Sequence, residues 1–272
     1  MSTGDWQAAV GRAETVEQVL EVESLRRFAL ATGSDPDVER VVPPLGHWAF
    51  FLPGAPDAEI GADGHPRRGG FLPAIPLPRR MFAASDMRFD APLALGRPAT
   101  LTSTIAAITP KSGRSGDLVF VEVDRVLRQD GAVRVAERQS YVYRGDGGPA
   151  PLPVPVPVPG GDVMGERWQP DAAHLFRFSA ATFNAHRIHY DLPYATGVEG
   201  YPALVVPGPF TAAKLAALAA RDGVLARFSF RAQAPLFLGQ PIHLQRAGEG
   251  ELRAIRCDGT VAMAAGAAYR RP

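Results

Sequence analysis

The sequence holds a single cysteine, Cys257, among 272 residues. One thiol excludes an internal disulfide and any zinc or iron–sulfur site built from several cysteines. Its surroundings, "LRAIRCDGTVAMAA", read as a strand rather than an electropositive loop, so Cys257 is expected in the core and not as a reactive thiol. An excess of charge is equally lacking, because 29 Lys plus Arg face 28 Asp plus Glu for a net charge of +1. Without a basic field to neutralise phosphates, nucleic acid is not an expected partner. No apolar run approaches the roughly 18 residues that cross a bilayer. The opening "MSTGDWQAAVGRAE" also lacks the basic-then-apolar order of a leader. The expectation is a soluble, cytoplasmic protein with no membrane partner.

What is present is a hydrophobic content of 46%, enough for one large domain or two of ordinary size. The segment "PAPLPVPVPVPGG", Pro149 to Gly161, favours an extended spacer, since alternating prolines cannot donate ladder hydrogen bonds. It separates two halves that match in three places, in the same order. "LRRFALAT" (Leu25 to Thr32) matches "LFRFSAAT" (Leu175 to Thr182), and "APLALGRPATL" (Ala91 to Leu101) matches "APLFLGQPIHL" (Ala234 to Leu244). "VLRQDGAV" before Tyr143-Arg144 matches "AIRCDGTV" before Tyr269-Arg270. Collinear matches without a short period indicate a duplicated domain. The expected division is 1–146, a linker at 147–161, and 162–272.

Each half ends in strand-like segments: Pro98 to Thr109, Leu118 to Arg128 and Ala132 to Arg144, then Pro241 to Ala247, Glu251 to Cys257 and Thr260 to Arg270. Asp130-Gly131 and Asp258-Gly259 stand where tight hairpin turns are wanted. The second half adds a helix over Pro209 to Asp222 in "GPFTAAKLAALAARDG", with proline at its start and glycine after its end. The corresponding "PLGHWAFFLPG" of the first half is shorter and runs into a Pro/Gly-rich loop. A long apolar helix wrapped by curved antiparallel sheet, present twice with the first copy degenerate, describes an α+β double hot-dog, its two sheets joined.

The stretch "FNAHRIHYD", Phe183 to Asp191, gathers His186, His189 and Asp191. Three readings stay open. Histidines at i, i+3 share a helical face and suit a metal, but no further ligand pattern accompanies them. Polar groups beside a core also cap or hydrogen-bond a helix end. Finally, a neutral histidine suits proton transfer near pH 7, Asn184 can orient a water, and Gly208 opens the long helix, where free N–H groups favour an oxyanion. Histidine, amide and helix start together suit addition of water to a double bond conjugated to a carbonyl.

At these residues the chain resembles the MaoC-like, R-specific enoyl-CoA hydratase superfamily of hot-dog proteins. The family motif reads Ser-Gly-Asp-x-Asn-Pro-(Ile/Leu/Val)-His, then five residues and Ala; here it is "TFNAHRIH", "YDLPY" and Ala195. The resemblance places His189 on the catalytic histidine and Asn184 on the catalytic aspartate, with Phe183 in place of glycine and His186-Arg187 in place of Asn-Pro. "FSAATFNAHRIHYDLPYA", "EGYPALVVPGP" and "DGHPRRGGFLPAIPLPRRM" further resemble the branch of 3-methylfumaryl-CoA (mesaconyl-C4-CoA) hydratases and 3-hydroxyacyl-thioester dehydratases. Pro207 departs from that branch, which often has histidine before Gly-Pro.

The resemblance implies a hydro-lyase that reversibly hydrates an α,β-unsaturated acyl-CoA, 3-methylfumaryl-CoA to citramalyl-CoA in the first instance. The alternative substrate is a 3-hydroxyacyl thioester of fatty-acid metabolism; a hot-dog thioesterase or a non-catalytic thioester-binding module are the other classes. No cofactor beyond the coenzyme A of the substrate and no metal are expected, and the fused halves fit a monomer or a homodimer. His189 and Asn184 are the expected catalytic pair and Gly208 the donor to the thioester carbonyl, with Tyr190 and Asp191 in support. Arg67, Arg68, Arg79, Arg80 and Arg187 are candidates for a substrate carboxylate or for CoA phosphates. The first half has Gly33 and Ser34 where the second has Phe183 and Asn184, and no histidine follows at the equivalent distance, so one active site per chain is expected. His186 reads as scaffold, and His47, His65, His174 and His243 as loop or strand-surface residues.

Overall fold

The computed structural model describes residues 5–113, 116–156 and 165–271. The first half contributes strands β1 (Ala13–Val19), β2 (Arg79–Phe89), β3 (Pro98–Gly113), β4 (Gly116–Gln129) and β5 (Ala132–Arg144). The second contributes β6 (Gly165–Trp168), β7 (Leu225–Ala232), β8 (Ile242–Gly248), β9 (Glu251–Ile255) and β10 (Val261–Tyr269). All pair antiparallel in one sheet of 10 strands, ordered β1-β3-β4-β5-β2-β7-β10-β9-β8-β6. Outward from the β2–β7 junction, β5, β4, β3 and β1 on one side mirror β10, β9, β8 and β6 on the other. The junction itself runs from Ala84 opposite Arg231 to Arg88 opposite Arg227. The sheet thus carries the duplication that the sequence matches imply, and it is continuous.

The matched segments also fold alike. They form α1 (Val22–Thr32) and α2 (Ala172–Ala181), whose Phe28 and Phe178 are fully buried with ring centroids 6.2 Å apart. Thr32 Oγ1 donates to the Phe28 carbonyl at 3.0 Å, and Thr182 Oγ1 to that of Phe178 at 2.8 Å. A short helix, α3 (Leu192–Gly197), precedes the long α4 (Gly208–Ala219), which buries Phe210, Leu215 and Leu218 together with alanines on several faces. A helix apolar all round belongs inside a core, and each such large side chain contributes about 1.5–3 kcal/mol by leaving water. Phe210 stacks on Phe178 at 4.7 Å and meets Trp168 edge-on at 4.8 Å. In the first half only the turn Gly46–Ala49 stands in the corresponding place in sequence.

Asp130 and Gly131 form the two-residue turn between Gln129 and Ala132, both with positive φ, 51° and 75°. That is the mirror-image turn that matches strand twist. Three readings need correction. The helix of the second half stops at Ala219 rather than Asp222. Cys257 is buried as expected, but just beyond the end of β9, with Sγ 3.7 Å from the Pro153 carbonyl. His47 is no surface residue: it is 8% exposed, with Nε2 3.4 Å from Glu137. Trp48 Nε1 and Ser85 Oγ donate to the same carboxylate at 3.2 and 2.8 Å. Burial raises the Glu137 pKa, but His47 and Arg125 outweigh it and hold it at about 2. The adjoining void, about 10 Å³, has room for a water at most.

The Pro-rich segment carries no helix or strand over Pro149–Val156, and its remainder to Gly161 lies outside the described residues. The Gln240 amide donates to the Pro153 carbonyl at 2.7 Å and Val156 N–H to that of Cys257 at 2.9 Å. No helix of the described residues is long and apolar enough to cross a membrane.

Candidate active site

The motif begins where α2 ends. Phe183, directly after the C-cap Thr182, adopts φ 49°, and Asn184 N–H closes back on the Ser179 carbonyl at 2.8 Å. The first half makes the same closure, Ser34 N–H to the Ala29 carbonyl at 2.9 Å, with Gly33 at φ 71°. Glycine takes this left-handed conformation freely, whereas a residue with a Cβ is disfavoured there by about 1–2 kcal/mol. The second half therefore holds a strained phenylalanine at the turn into the motif, which is where strain gathers in functional sites.

Beyond it the chain folds tightly on itself. Asn184 Oδ1 accepts the His186 N–H at 3.1 Å, an Asx turn that leads into the single helical turn Arg187–His189. Asp191 caps α3 by accepting the Tyr194 N–H at 3.1 Å. Its other oxygen takes Nε and Nη2 of Arg187 at 2.9 and 2.7 Å. Asp191 thus supports the turn and is engaged by the cap and by Arg187. Tyr190 is exposed, its hydroxyl donating to the Ala185 carbonyl at 3.1 Å.

His189 is buried, and its Nδ1 lies 2.8 Å from the Val205 carbonyl. A carbonyl only accepts, so Nδ1 carries the proton and Nε2 keeps its lone pair. Val205 N–H returns to the Ile188 carbonyl at 3.0 Å, clamping the turn from both sides. Three residues further on Gly208 opens α4, and its N–H has no hydrogen-bond partner among the described residues. A neutral imidazole is thus anchored three residues before a helix-start donor on one short segment. No hydrogen bond joins Asn184 to His189 among the described residues.

The loop of the first half crosses this segment. Arg187 N–H donates to the Asp63 carbonyl at 2.9 Å and Arg187 Nη1 to that of Ala62 at 3.0 Å. His65, expected at a loop surface, is instead half-buried and meets His186 in a tilted contact, ring centroids 4.3 Å apart, and His186 in turn meets His189 edge-on at 5.4 Å. His186 reads as scaffold from its position in the motif, yet it stands at the centre of this row, with Nε2 3.4 Å from Glu199. Asp63, His65 and His186 bring ligand-capable atoms within 4.8 Å of one another, so these are the residues with the proximity to hold a cation. His174 serves as a capping-box partner to Asp171, and His243 lies in β8.

Burial, then the His186 ring and more weakly His65, pull the His189 pKa down to about 3 against the opposing Val205 carbonyl. Burial takes that of His65 to about 4, against the opposing contact with Asp63. Both folded values lie below the unfolded 6.5, so below that pH the unfolded chain binds protons that the native one refuses. Stability is therefore full above pH 6.5 and is lost progressively as pH falls toward 4 and then 3. Thermal unfolding between pH 7 and 5 is expected to show this slope, and His65→Gln is expected to flatten it; a constant Tm would contradict it.

The family profile for hydroxyacyl-thioester dehydratase type 2 matches residues 45–238. The chain belongs to that family. A curated family relative, named mesaconyl-C(4)-CoA hydratase, from Chloroflexus aurantiacus, is 46% identical over 97% of this chain and 98% of its own length. A MaoC-like dehydratase from Phytophthora capsici shares the fold of this Htd2-family chain at a TM-score of 0.68 and 14% identity, covering 97% of each. A Mycobacterium tuberculosis protein described as a double hotdog matches it at 0.54 and 15%, over 96% of each. The architecture of this family member is therefore the double hot-dog, and the chain is a hydro-lyase.

Asp63, His65 and Glu199 are the neighbours of the site that sequence reasoning passes over. The segment "DGHPRRGG" offers arginines as candidates, but nothing in its spacing ties Asp63 and His65 to a motif some 120 residues later.

Proposed function

We propose that the chain reversibly hydrates an α,β-unsaturated acyl-CoA, with 3-methylfumaryl-CoA as substrate and citramalyl-CoA as product. The observation that carries this reading is His189, its tautomer set by the Val205 carbonyl, while three residues after Val205 comes Gly208; neither His189 Nε2 nor Gly208 N–H has a hydrogen-bond partner among the described residues. The thioester carbonyl accepts the Gly208 N–H at the positive end of α4. His189 Nε2 takes a proton from water as its oxygen bonds to the β carbon, and the double-bond electrons move onto the thioester as an enolate. The histidinium then returns that proton to the α carbon, so the water is added without net change in the enzyme. The 46% identical relative named for mesaconyl-C(4)-CoA supports the substrate. The family profile supports 3-hydroxyacyl-thioester dehydration as the second reading.

Mixing the protein with mesaconyl-C4-CoA, crotonyl-CoA and a long-chain 2-enoyl-CoA separates these. Fastest loss of enoyl absorbance with mesaconyl-C4-CoA is the expected result; preference for the long chain favours the dehydratase reading, and free thiol without hydration a thioesterase. Asn184 positions water in this scheme and has no useful basicity, so Asn184→Asp is expected to retain part of the activity. Complete loss in a folded variant would argue instead for an amide donor that an aspartate cannot replace.

A further inference from the structure

Five arginines are candidates for an anion, and the structure divides them. Arg187 is engaged by Asp191 and the Ala62 carbonyl. Arg68 donates to the carbonyls of Ile75, Leu77 and Pro78. Arg79 donates to the carbonyls of Gly147 and Glu199 and faces the carboxylates of Asp146 and Glu199 at 3.6 and 3.9 Å. Arg67 is exposed, its side chain making a 3.5 Å approach to the Ile60 carbonyl. Arg80 is half-buried in β2 and makes no hydrogen bond of regular geometry and no ion pair among the described residues.

Arg80 is the register partner of Tyr143 in β5, so the two side chains leave the sheet on one face. Tyr143 is fully buried and its hydroxyl has no partner of regular geometry among the described residues; the enclosed Nδ1 of His65 lies 3.5 Å from an Asp63 carboxylate oxygen. Burial raises the Tyr143 pKa, and Arg80 opposes that rise through its charge and through a loose hydrogen-bonding approach to the hydroxyl. Arg68 covers the Tyr143 ring at 5.5 Å and holds that wall in place. Burial has the largest effect on the pKa values of Asp63 and His65, and the charge of Arg80 adds a weaker downward pull on each. From His65 the path to the base is short, 4.3 Å between rings to His186 and 5.4 Å on to His189. A guanidinium with no carboxylate partner among the described residues at this end of the site would meet the acyl group rather than the nucleotide phosphates of CoA, which lie a whole pantetheine arm away from the thioester.

We propose that Arg80 binds a carboxylate carried by the acyl group and so selects carboxylated enoyl thioesters over plain ones. The proposal rests on the hydratase reading for its substrate, but its test does not depend on turnover. Succinyl-CoA and butyryl-CoA are saturated thioesters of equal chain length, one with a terminal carboxylate and one without, and neither can be hydrated. Calorimetric titration of the wild type is expected to show succinyl-CoA bound at least about tenfold more tightly, the scale of a charge-assisted pair. Arg80→Gln is expected to weaken succinyl-CoA by about 10- to 100-fold with little change for butyryl-CoA, whose binding reports that the variant is folded. Arg80→Lys is expected to keep part of the preference, because it retains charge without the planar fork.

Equal weakening of both ligands, an unchanged preference in Arg80→Gln, or no preference in the wild type would overturn the assignment. Wild-type hydration of mesaconyl-C4-CoA, followed in parallel, reports on the parent reading. Hydration without a succinyl preference removes only Arg80, and a preference without hydration removes only the reaction.

Discussion

His189→Ala is expected to lower kcat for hydration by about 10²–10⁴-fold, with a Tm close to that of the wild type. In relatives with the family motif, aspartate and histidine share the protons; here Asn184 stands in the aspartate's place and its Oδ1 is engaged by the His186 N–H. Asp191 cannot substitute, since both its oxygens are used by the α3 cap and Arg187. In the proposed mechanism the whole burden falls on one imidazole whose Nδ1 is fixed on Val205. Folding is expected to tolerate the change, because the alanine forgoes one hydrogen bond of about 1 kcal/mol and the Ile188–Val205 backbone clamp remains. Loss of enoyl absorbance measures the effect, and a folded variant with more than a few per cent of wild-type kcat would remove His189 from the mechanism.

Gly64→Ala is expected to cost about 2–4 kcal/mol in stability and at least about tenfold in kcat. A Cβ at this position would stand 1.9 Å from the Ala185 carbonyl oxygen, and the backbone has φ 89°. Neither constraint can relax alone, since Asp63 and Ala62 on one side of Gly64 are bonded to Arg187, and the ring of His65 on the other packs against that of His186. The loop must lift from the motif, taking the histidine row with it. Denaturant unfolding and kcat measured together test this; a variant with wild-type values in both would show that the close approach is not needed.

The parts of the fold that are legible in the sequence are those with strong local patterns. The β5 boundaries, Ala132 to Arg144, are as expected, because a two-residue Asp-Gly turn sets its start. By contrast β1, "AETVEQV", has no such mark: almost every side chain is exposed, so no core-facing alternation reveals it. The motif likewise marks His189 and Asn184 as candidates by local spacing, and the start of the long apolar helix marks Gly208. His186 reads as scaffold in the sequence because its neighbours His65 and Glu199 come from other segments. Buried His47 is hidden for the same reason, its partner Glu137 lying on a strand 90 residues away. Side chains that answer one another across a duplicated sheet leave no periodicity in the sequence that connects them.

The most direct test of the account is hydration of mesaconyl-C4-CoA in ¹⁸O-labelled water, followed by mass spectrometry of the product. The account predicts an intact CoA thioester that carries one ¹⁸O as a new hydroxyl at the β carbon, formed by the wild type and at least about 10²-fold more slowly by His189→Ala. Free coenzyme A with ¹⁸O in a released carboxylate, or unlabelled starting thioester after prolonged incubation, would contradict it.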